Sequence, residues 1–369
     1  MACLAGWSWH SASSRVPRAA LVPQQLIATP GETGLLPAQS ITREEVPEVH
    51  AACAVELPDG SLRAAWYGGT REGAKDVSIW SSRWDPGTES WSQPAVALER
   101  LWLEKATGRN LRKLGTPVLH HSAAGGLELF VVGVSMGGWA GSSLYHLQSD
   151  DGGATFSNPK RLVTSPFLNI STLVKGAVLD TEDGGLVVPA YHEFAVNYPV
   201  LVRLDAERSV VGLESLRQAR KLIQPWVITP PEGREIFFRD TGETATLHTL
   251  TGHGVHAMNI PNPDSAVTAL RVEAGTLLAC NDLPYGPDDP SLGRNRLSLY
   301  FRAKGTAEWK HLREVEGPET PKKPGEPEHG TFSYPWLMQA GDGTIHLFYT
   351  WNRKQIRHVR FDAKAWRNP

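Results

Sequence analysis

Three arginines in this chain follow apolar segments in similar positions. Arg71 ends the segment "AAWYGGTR", Arg239 ends "EIFFR" and Arg353 ends "HLFYTWNR". A guanidinium group can bind a carboxylate through two parallel hydrogen bonds, and clustered arginines therefore favour anionic ligands. If the fold brings these three side chains to one place, we expect them to hold the carboxylate of a ligand.

Two histidines also lie at the ends of apolar segments, namely His50 and His192, and the segment "YHEF" places Glu193 beside His192. A histidine in such a position could be a general base with a pKa near neutrality. The alternative is a hydrogen-bonded histidine at the end of a strand, and both interpretations stay open. No spacing of His, Cys and carboxylates is typical of zinc, and no phosphate-binding glycine motif lies between a strand and a helix. The sequence therefore predicts neither a metal nor a cofactor.

The elements that carry these residues are repeated hairpins. Six times the chain runs through an apolar strand, a turn that contains glycine and a second apolar strand. We expect glycine in these turns because two-residue hairpins need a positive φ. The six turn glycines are Gly60, Gly126, Gly185, Gly233, Gly275 and Gly343.

Most hairpins are followed by a third and a fourth strand, with an aromatic residue after the turn between them: Trp91, Phe156 and Trp309. Four strands in each of six repeats predict an all-β fold, a six-bladed β-propeller of four-stranded antiparallel blades. The sixth repeat lacks an outer strand, which residues 24–30, "QQLIATP", could supply. We expect one propeller domain over residues 23–369, preceded by a flexible tail over residues 1–22.

Composition limits the class of partner. The formal net charge is −2, which argues against a general binder of nucleic acids or anionic membranes. No run of 18 apolar residues predicts a membrane span. The N-terminal segment is a poor match to a signal peptide, and the compartment and oligomeric state stay open. A small anionic ligand remains compatible with this composition.

Propeller topology indicates where a site would lie. The six glycine turns mark one face, and the opposite face, the mouth, collects the starts of the first strands and the ends of the second strands. This set is unusually polar and aromatic. Its members are Glu48, His50, Trp66, Tyr67, Arg71, Glu72, Asp76, Ser135, Trp139, Asn169, Lys175, Tyr191, His192, Glu193, Gln224, Arg239, Asp240, Asn262, Asp264, Asn281, Asp282, Arg294, Tyr334, Trp351 and Arg353.

One octet, "SDDGGATF" at residues 149–156, matches the pattern S-x-D-x-G-x-T-[FW]. This pattern is the Asp-box, or BNR repeat, of sialidases and related propellers. We expect Asp151 to accept hydrogen bonds within the turn and Phe156 to pack beneath it, remote from the mouth. Together with the phrases "ELPDGSLRAAWYGGTREGAKDVSIWSSR" and "FSYPWLMQAGDGTIHLFYTWNRKQIRHV", the chain over residues 40–362 resembles the sialidase-like BNR family.

The resemblance implies catalytic roles. Tyr334 matches the nucleophilic tyrosine that distinguishes sialidases from other retaining glycosidases. Its base, a glutamate in sialidases, corresponds to Asp264, and the acid/base residue corresponds to Glu72 or Asp76, with Glu72 preferred. The remaining expected substrate-binding residues are His50, Tyr67, His192, Glu193, Trp139, Asn262 and Lys175, besides the three arginines Arg71, Arg239 and Arg353.

One departure from the family affects substrate choice. Sialidases begin the first blade with Arg-Ile-Pro, whereas this chain has Glu48-Val49-His50. The leading interpretation is a sialidase-like glycoside hydrolase acting on sialic acid or a related acidic sugar. The alternatives are a hydrolase or lyase on uronic-acid glycans that uses His50 or His192, and a glycan-binding propeller without catalysis.

Overall fold

The computed structural model describes residues 20–24, 34–122, 126–165, 168–231, 233–241, 244–284, 292–318 and 330–361. These residues form six antiparallel sheets, each built on four main strands. Neighbouring sheets contact one another in chain order through their first or second strands, and the innermost strand of the last sheet packs against that of the first. The predicted six-bladed β-propeller is therefore confirmed.

The first three blades follow a short N-terminal strand, β1. In chain order their strands are β1 (Gln39–Ser40), β2 (Glu48–Glu56), β3 (Leu62–Gly69), β4 (Ser78–Asp85), β5 (Ser90–Trp91), β6 (Ala95–Leu98), β7 (Lys113–His121), β8 (Leu127–Val134), β9 (Ser142–Ser149), β10 (Ser157–Arg161), β11 (Leu173–Val174), β12 (Leu179–Asp180), β13 (Leu186–His192), β14 (Tyr198–Leu204) and β15 (Val210–Ser215).

The last three blades contain β16 (Leu222–Ile228), β17 (Glu235–Asp240), β18 (Thr246–Thr251), β19 (Gly254–Pro261), β20 (Thr268–Val272), β21 (Gly275–Asn281), β22 (Leu297–Ala303), β23 (Lys310–Glu316), β24 (Phe332–Gln339), β25 (Ile345–Trp351) and β26 (Gln355–Phe361). Among the described residues, helical structure is limited to α1 (Arg100–Thr107) and the 3₁₀ turns Trp139–Gly141, Arg217–Ala219 and Leu292–Arg294. No helix in these ranges has the length and apolar character that a membrane crossing requires.

The sixth blade is completed by the N-terminal part of the chain. Strand β1 pairs antiparallel with β26, with Gln39 opposite His358. Residues 24–30, which the sequence suggested for this position, lie outside the described residues except for Gln24. The outer strand observed in the sixth blade is therefore β1, which lies further along the chain.

The turn glycines serve two purposes. Gly60 and Gly343 have φ of 78° and 88°, and Gly126 and Gly233 also have positive φ, as expected. Gly185 and Gly275 do not, so the expectation of positive φ is wrong for them. A Cβ at Gly275 would lie 2.0 Å from the carbonyl oxygen of Arg302, and one at Gly185 would lie 2.3 Å from that of Leu204. At these two positions glycine permits close approach of the neighbouring strand.

The Asp-box is a turn in the second blade. The Asp151 carboxylate accepts hydrogen bonds from the Thr155 amide at 2.9 Å and the Ser149 hydroxyl at 2.8 Å. Phe156 is buried beneath the turn, and Gly153 has φ of 85°. These contacts agree with the structural role that the sequence indicated.

The inner strands of four blades, β2, β7, β16 and β24, show a β-bulge or register shift near the mouth, and in three of them a residue of the shift has a left-handed backbone. The register shifts in β2, β16 and β24, and Ala51, Gln224 and Tyr334 within these shifts have φ of 56°, 52° and 54°. Gln224 and Tyr334 are each followed by Pro-Trp. A bulge inserts an extra residue into a strand and redirects its side chain. Here the bulges in β16 and β24 place the Gln224 and Tyr334 side chains in a common cavity.

Below the bulges, two tryptophans connect neighbouring blades. The indole N–H of Trp226 donates to the Ala269 carbonyl at 2.6 Å, and that of Trp336 donates to the Ala54 carbonyl at 3.0 Å. The two rings meet edge to face at a centroid distance of 4.9 Å. The buried aromatic layer thus fixes the strands that carry the mouth residues.

Candidate active site

A cavity of about 220 Å³ opens at the mouth of the propeller, and we call it the mouth cavity. All six blades contribute residues to it, and the contribution of the fifth blade is a residue of the loop before β22. Its lining residues are His50, Tyr67, Glu72, Thr116, Val132, Trp139, Leu173, Tyr191, Glu193, Gln224, Arg239, Arg294, Tyr334 and Arg353.

Three arginines line the mouth cavity, and we call them the arginine cluster: Arg239 of β17, Arg294 of the loop before β22, and Arg353 of the turn after β25. Burial lowers the pKa of Arg294, and the positive charges of Arg239 and Arg353 contribute to the same shift. Arg71, which the sequence placed in the cluster, is exposed and is not a lining residue. The cluster therefore contains Arg294 in place of Arg71.

The members of the cluster differ in their partners. Arg239 Nε donates to Asp264 Oδ1 at 2.7 Å, and Arg353 Nη1 donates to Glu72 Oε2. Arg294 Nη2 donates to the backbone carbonyl of Asp264 at 2.6 Å. No carboxylate among the described residues forms an ion pair with Arg294. Among the described residues, Arg294 is thus the member of the cluster whose charge no paired carboxylate offsets, and it favours an anion in the cavity.

The hydroxyl of Tyr334 is bound by an amide. Gln224 Nε2 donates to the Tyr334 hydroxyl at 3.1 Å and lies 3.4 Å from the hydroxyl of Tyr191. Burial disfavours the charged form of Arg239, but the nearby Tyr334 and Asp264 favour it more strongly, so the pKa of Arg239 is raised overall. Asp264, the base suggested by the sequence, is held by Arg239. Within the described ranges, no carboxylate hydrogen-bonds Tyr334.

Two carboxyl groups line the mouth cavity. Burial raises the pKa of Glu193, the charge of Arg239 opposes that shift, and Asp264 adds to it. Glu72 is bound by Arg353, and both burial and the Glu72 carboxylate raise the pKa of Tyr67. Asp76, the second acid/base candidate, is outside the lining and accepts hydrogen bonds from the amide of Thr70 at 2.8 Å and its hydroxyl at 2.5 Å.

His50 is buried in the cavity wall. Its ring lies 4.4 Å from the ring of Tyr334 and 5.6 Å from that of Tyr67, measured between centroids. Burial lowers its pKa well below the usual value, and the nearby cations act in the same direction, so the imidazole is neutral at pH 7. His192 does not line the cavity; its ring packs on Tyr198 at 5.0 Å.

Trp139 forms part of the wall formed by the second blade. A Cβ at Gly115 would lie 2.7 Å from Trp139 Cζ3, so glycine at this position leaves the space that the indole occupies. The ammonium group of Lys113 lies 3.8 Å from the centre of the indole ring. The tryptophan is thus held between a glycine and a cation.

Two other predicted binding residues are not among those that line the cavity. Lys175 is buried, its amine donates to the Pro335 carbonyl at 3.0 Å, and burial lowers its pKa to about 7. The side-chain amide of Asn262 donates to the Ser265 carbonyl at 2.9 Å, within a turn. In the described part of the chain, no group of three or more His, Cys, Asp and Glu is arranged to hold a metal ion.

Sequence alone placed Arg294, Gln224 and Tyr191 at the mouth without giving them a role. A signal for Gln224 was present, because "QPW" at residues 224–226 repeats the pattern of "YPW" at residues 334–336. Aligning the blades would have paired Gln224 with Tyr334. Arg294 had no comparable signal, because it lies in a loop.

Comparison with solved structures shows the same fold in sialidases. The Hadza microbial sialidase Hz136 is 15% identical with a TM-score of 0.65, over 88% of this chain and 68% of that one. A protein of unknown function from Dyadobacter fermentans is 14% identical with a TM-score of 0.66, over 89% and 99%. Trypanosoma rangeli sialidase is 11% identical with a TM-score of 0.61, over 94% and 59%. At these identities the likeness concerns the fold alone.

A search of curated protein sequences gave no match. The family described as "BNR repeat-like domain" matches residues 60–347, which is most of the chain. This match agrees with the blades, the bulged inner strands and the Asp-box described above. The chain therefore belongs to the BNR repeat-like domain family.

Proposed function

We propose that this chain binds an acidic sugar by its carboxylate in the mouth cavity and hydrolyses the glycosidic bond of that sugar. The observation that carries the proposal is the arginine cluster, in which Arg239, Arg294 and Arg353 come from three blades to one cavity. Like charges repel one another in a partly buried site, and a bound carboxylate would relieve that repulsion.

The size of the cavity favours a single sugar unit. Its volume of about 220 Å³ lies below the range of about 300–1,000 Å³ that is usual for drug-sized ligands. A terminal sugar residue fits this volume better than an internal segment of a long chain. Trypanosoma rangeli sialidase has been solved in complex with sialic acid, so sialic acid is among the acidic sugars to test.

The proposed chemistry uses the two cavity carboxyl groups. Most glycosidases act through a pair of carboxyl groups that flank the scissile bond. We assign proton donation to Glu193, because its raised pKa favours the protonated form that a general acid needs. Glu72 is the second member of the pair. Tyr334, the nucleophile expected from the family resemblance, contacts Gln224 and contributes a hydroxyl to the cavity wall.

A glycan-binding propeller without turnover is the second candidate function. The observation that favours it is the amide at the Tyr334 hydroxyl, because a neutral amide does not accept the proton of a phenol whose ordinary pKa is about 10. Both candidate functions include binding through the arginine cluster. Only the hydrolase cleaves the glycosidic bond, so an assay of turnover distinguishes the two functions.

The binding test compares sugar acids with their methyl esters by calorimetry. N-acetylneuraminic, glucuronic and galacturonic acids are titrated into the wild type, Arg294→Gln and the control Arg71→Gln. We expect at least one acid to bind the wild type and its methyl ester to bind about 10–100 times more weakly. The affinity of Arg294→Gln for the acid should be lower than that of the wild type by the same factor. Arg71→Gln should bind as the wild type does. Equal affinity for acid and ester would contradict the proposal.

The turnover test uses fluorogenic glycosides of the acids that bind. Glu193→Gln should reduce release of the fluorophore by about 10²-fold or more while the affinity for the free sugar acid is unchanged. Binding without any release by the wild type would establish the second candidate and reject hydrolysis.

A further inference from the structure

Two buried polar atoms of the mouth cavity, His50 Nδ1 and Gln224 Oε1, have no hydrogen-bond partner among the residues that the structure describes. The two residues are 3% and 2% exposed. Buried polar atoms in folded proteins are nearly always hydrogen-bonded, and one that is left without a partner costs about 1–3 kcal/mol. Their common position in one cavity indicates a ligand group that meets both.

The chemistry of the two atoms narrows the choice of that group. An amide oxygen is only an acceptor, so Gln224 Oε1 requires a donor and repels a carboxylate. The His50 imidazole is neutral, because burial first and the nearby positive charges of the arginine cluster second lower its pKa well below the usual value. Its free ring nitrogen accepts or donates one hydrogen bond, depending on the tautomer. A hydroxyl group can donate its one proton to the amide oxygen while its oxygen accepts a hydrogen bond from a protonated His50 Nδ1; where Nδ1 is the acceptor, a neighbouring hydroxyl of the same sugar can donate to it.

We propose that His50 and Gln224 form a hydroxyl-binding floor of the mouth cavity, which selects an acidic sugar by its hydroxyl groups. The inference rests on the proposed function, in which the arginine cluster holds the carboxylate of the same sugar. A site built to hydrogen-bond a substrate hydroxyl discriminates against analogues that lack it. His50 and Gln224 are therefore specificity-determining residues.

The test uses Gln224→Met, which keeps the length of the side chain and removes its amide, and His50→Phe. The control is Gln339→Met, because Gln339 Oε1 is also buried, lacks a partner in the described ranges and lies outside the mouth cavity. Two kinds of probe are titrated: the three sugar acids named above, and tetrahydropyran-2-carboxylic acid, which has the ring and the carboxylate but no hydroxyl. Thermal unfolding identifies any variant that fails to fold.

We expect Gln224→Met and His50→Phe each to bind the preferred sugar acid about tenfold more weakly than the wild type. Both should bind the hydroxyl-free acid as the wild type does, and Gln339→Met should change neither affinity. If only one variant folds, that variant alone decides the question.

Unchanged affinity of the folded variants for the sugar acid would overturn the inference and would mean that ordered water alone satisfies the floor. Equal losses for the sugar acid and the hydroxyl-free acid would also overturn it, since the defect would then be general. If binding depends on Arg294 but not on Gln224, this inference fails and the proposed function stands. If no acid binds the wild type, both fail.

Discussion

Gln224 and Tyr334 occupy equivalent bulges in the fourth and sixth blades, and the amide of the first donates to the hydroxyl of the second at 3.1 Å. Both have a left-handed backbone and both precede Pro-Trp. The same local sequence thus presents an amide from one blade and a phenol from another to one cavity. This pair is the feature that separates this site from one in which a carboxylate activates the tyrosine.

Gln224→Glu should convert this pair into a phenol beside a carboxylate. A positioned base contributes about 10²–10⁴-fold to proton transfer, so release from a fluorogenic sugar-acid glycoside should rise by about 10²-fold. The gain should disappear in the double variant Gln224→Glu/Tyr334→Phe, which has the same carboxylate without the phenolic oxygen. A rise that survives in the double variant would show that Tyr334 takes no part in it.

Gly115→Ala should displace Trp139 from the cavity wall. The added Cβ would lie 2.7 Å from the indole, a distance that requires the ring to move. We expect at least a tenfold loss of sugar-acid affinity and a shift in tryptophan fluorescence. Gly138→Ala is the matched control, because a Cβ at Gly138 meets no atom within 4 Å. Equal affinities for the two variants would remove Trp139 from the binding wall.

The protein should lose stability in mild acid through a buried histidine pair. Trp91 Nε1 donates to His358 Nδ1 at 3.1 Å, so the other nitrogen of His358 carries the proton that it donates to His346 Nδ1 at 2.9 Å. Burial lowers the pKa of His346 to about 4 and that of His358 well below its ordinary value. The folded pair is therefore neutral over most of the acidic range.

The sign of the pH effect follows from these shifts. As pH falls below about 6.5, the unfolded histidines bind protons before the folded ones do, so the free energy of unfolding decreases until about pH 4. For His346 alone the loss is on the order of 3 kcal/mol. Urea unfolding at pH 8, 6 and 5 measures it. His346→Phe should reduce the dependence of the free energy of unfolding on pH, whereas His253→Gln, at an exposed site, should leave that dependence unchanged. A free energy of unfolding that is constant between pH 8 and 5 in the wild type would contradict the prediction.

Asp151→Ala should destabilise the fold and leave the site intact. The substitution removes the acceptor for the amide and hydroxyl of Thr155 and the hydroxyl of Ser149, at a cost of about 1–3 kcal/mol. The neighbouring Asp150→Ala is the control. Thermal unfolding and sugar-acid titration together check the prediction. Lost binding without lost stability would place the Asp-box in the ligand site.

The fold could be predicted because its signals are local. Each blade repeats a hairpin whose alternating residues and turn glycine lie within about 20 residues of one another, so the number of repeats gave the number of blades. The outer strand of the sixth blade is the exception. It comes from β1, more than 300 residues from its partner β26, and no local pattern specifies that pairing.

The candidate site was predicted only in part, because loop paths decide which mouth residues meet. Tyr334, Arg239, Arg353 and His50 lie on or beside inner and second strands, and topology placed them at the cavity. Arg71 and Arg294 both lie in loops between strands, and no sequence pattern favours Arg294 over Arg71. The hydrogen-bond partners of the mouth residues depend on the same loop paths. Asp264 accepts a hydrogen bond from Arg239, and the hydroxyl of Tyr334 accepts one from Gln224.

A crystal structure of the protein with its preferred sugar acid tests the central claim most directly. The carboxylate of the ligand should lie within about 2.7–3.2 Å of guanidinium nitrogens of the arginine cluster, with Arg294 among its donors. The same soak of Arg294→Gln should show lower occupancy, and that of Arg71→Gln should match the wild type. A carboxylate that points to solvent, or a sugar bound outside the mouth cavity, would contradict the account.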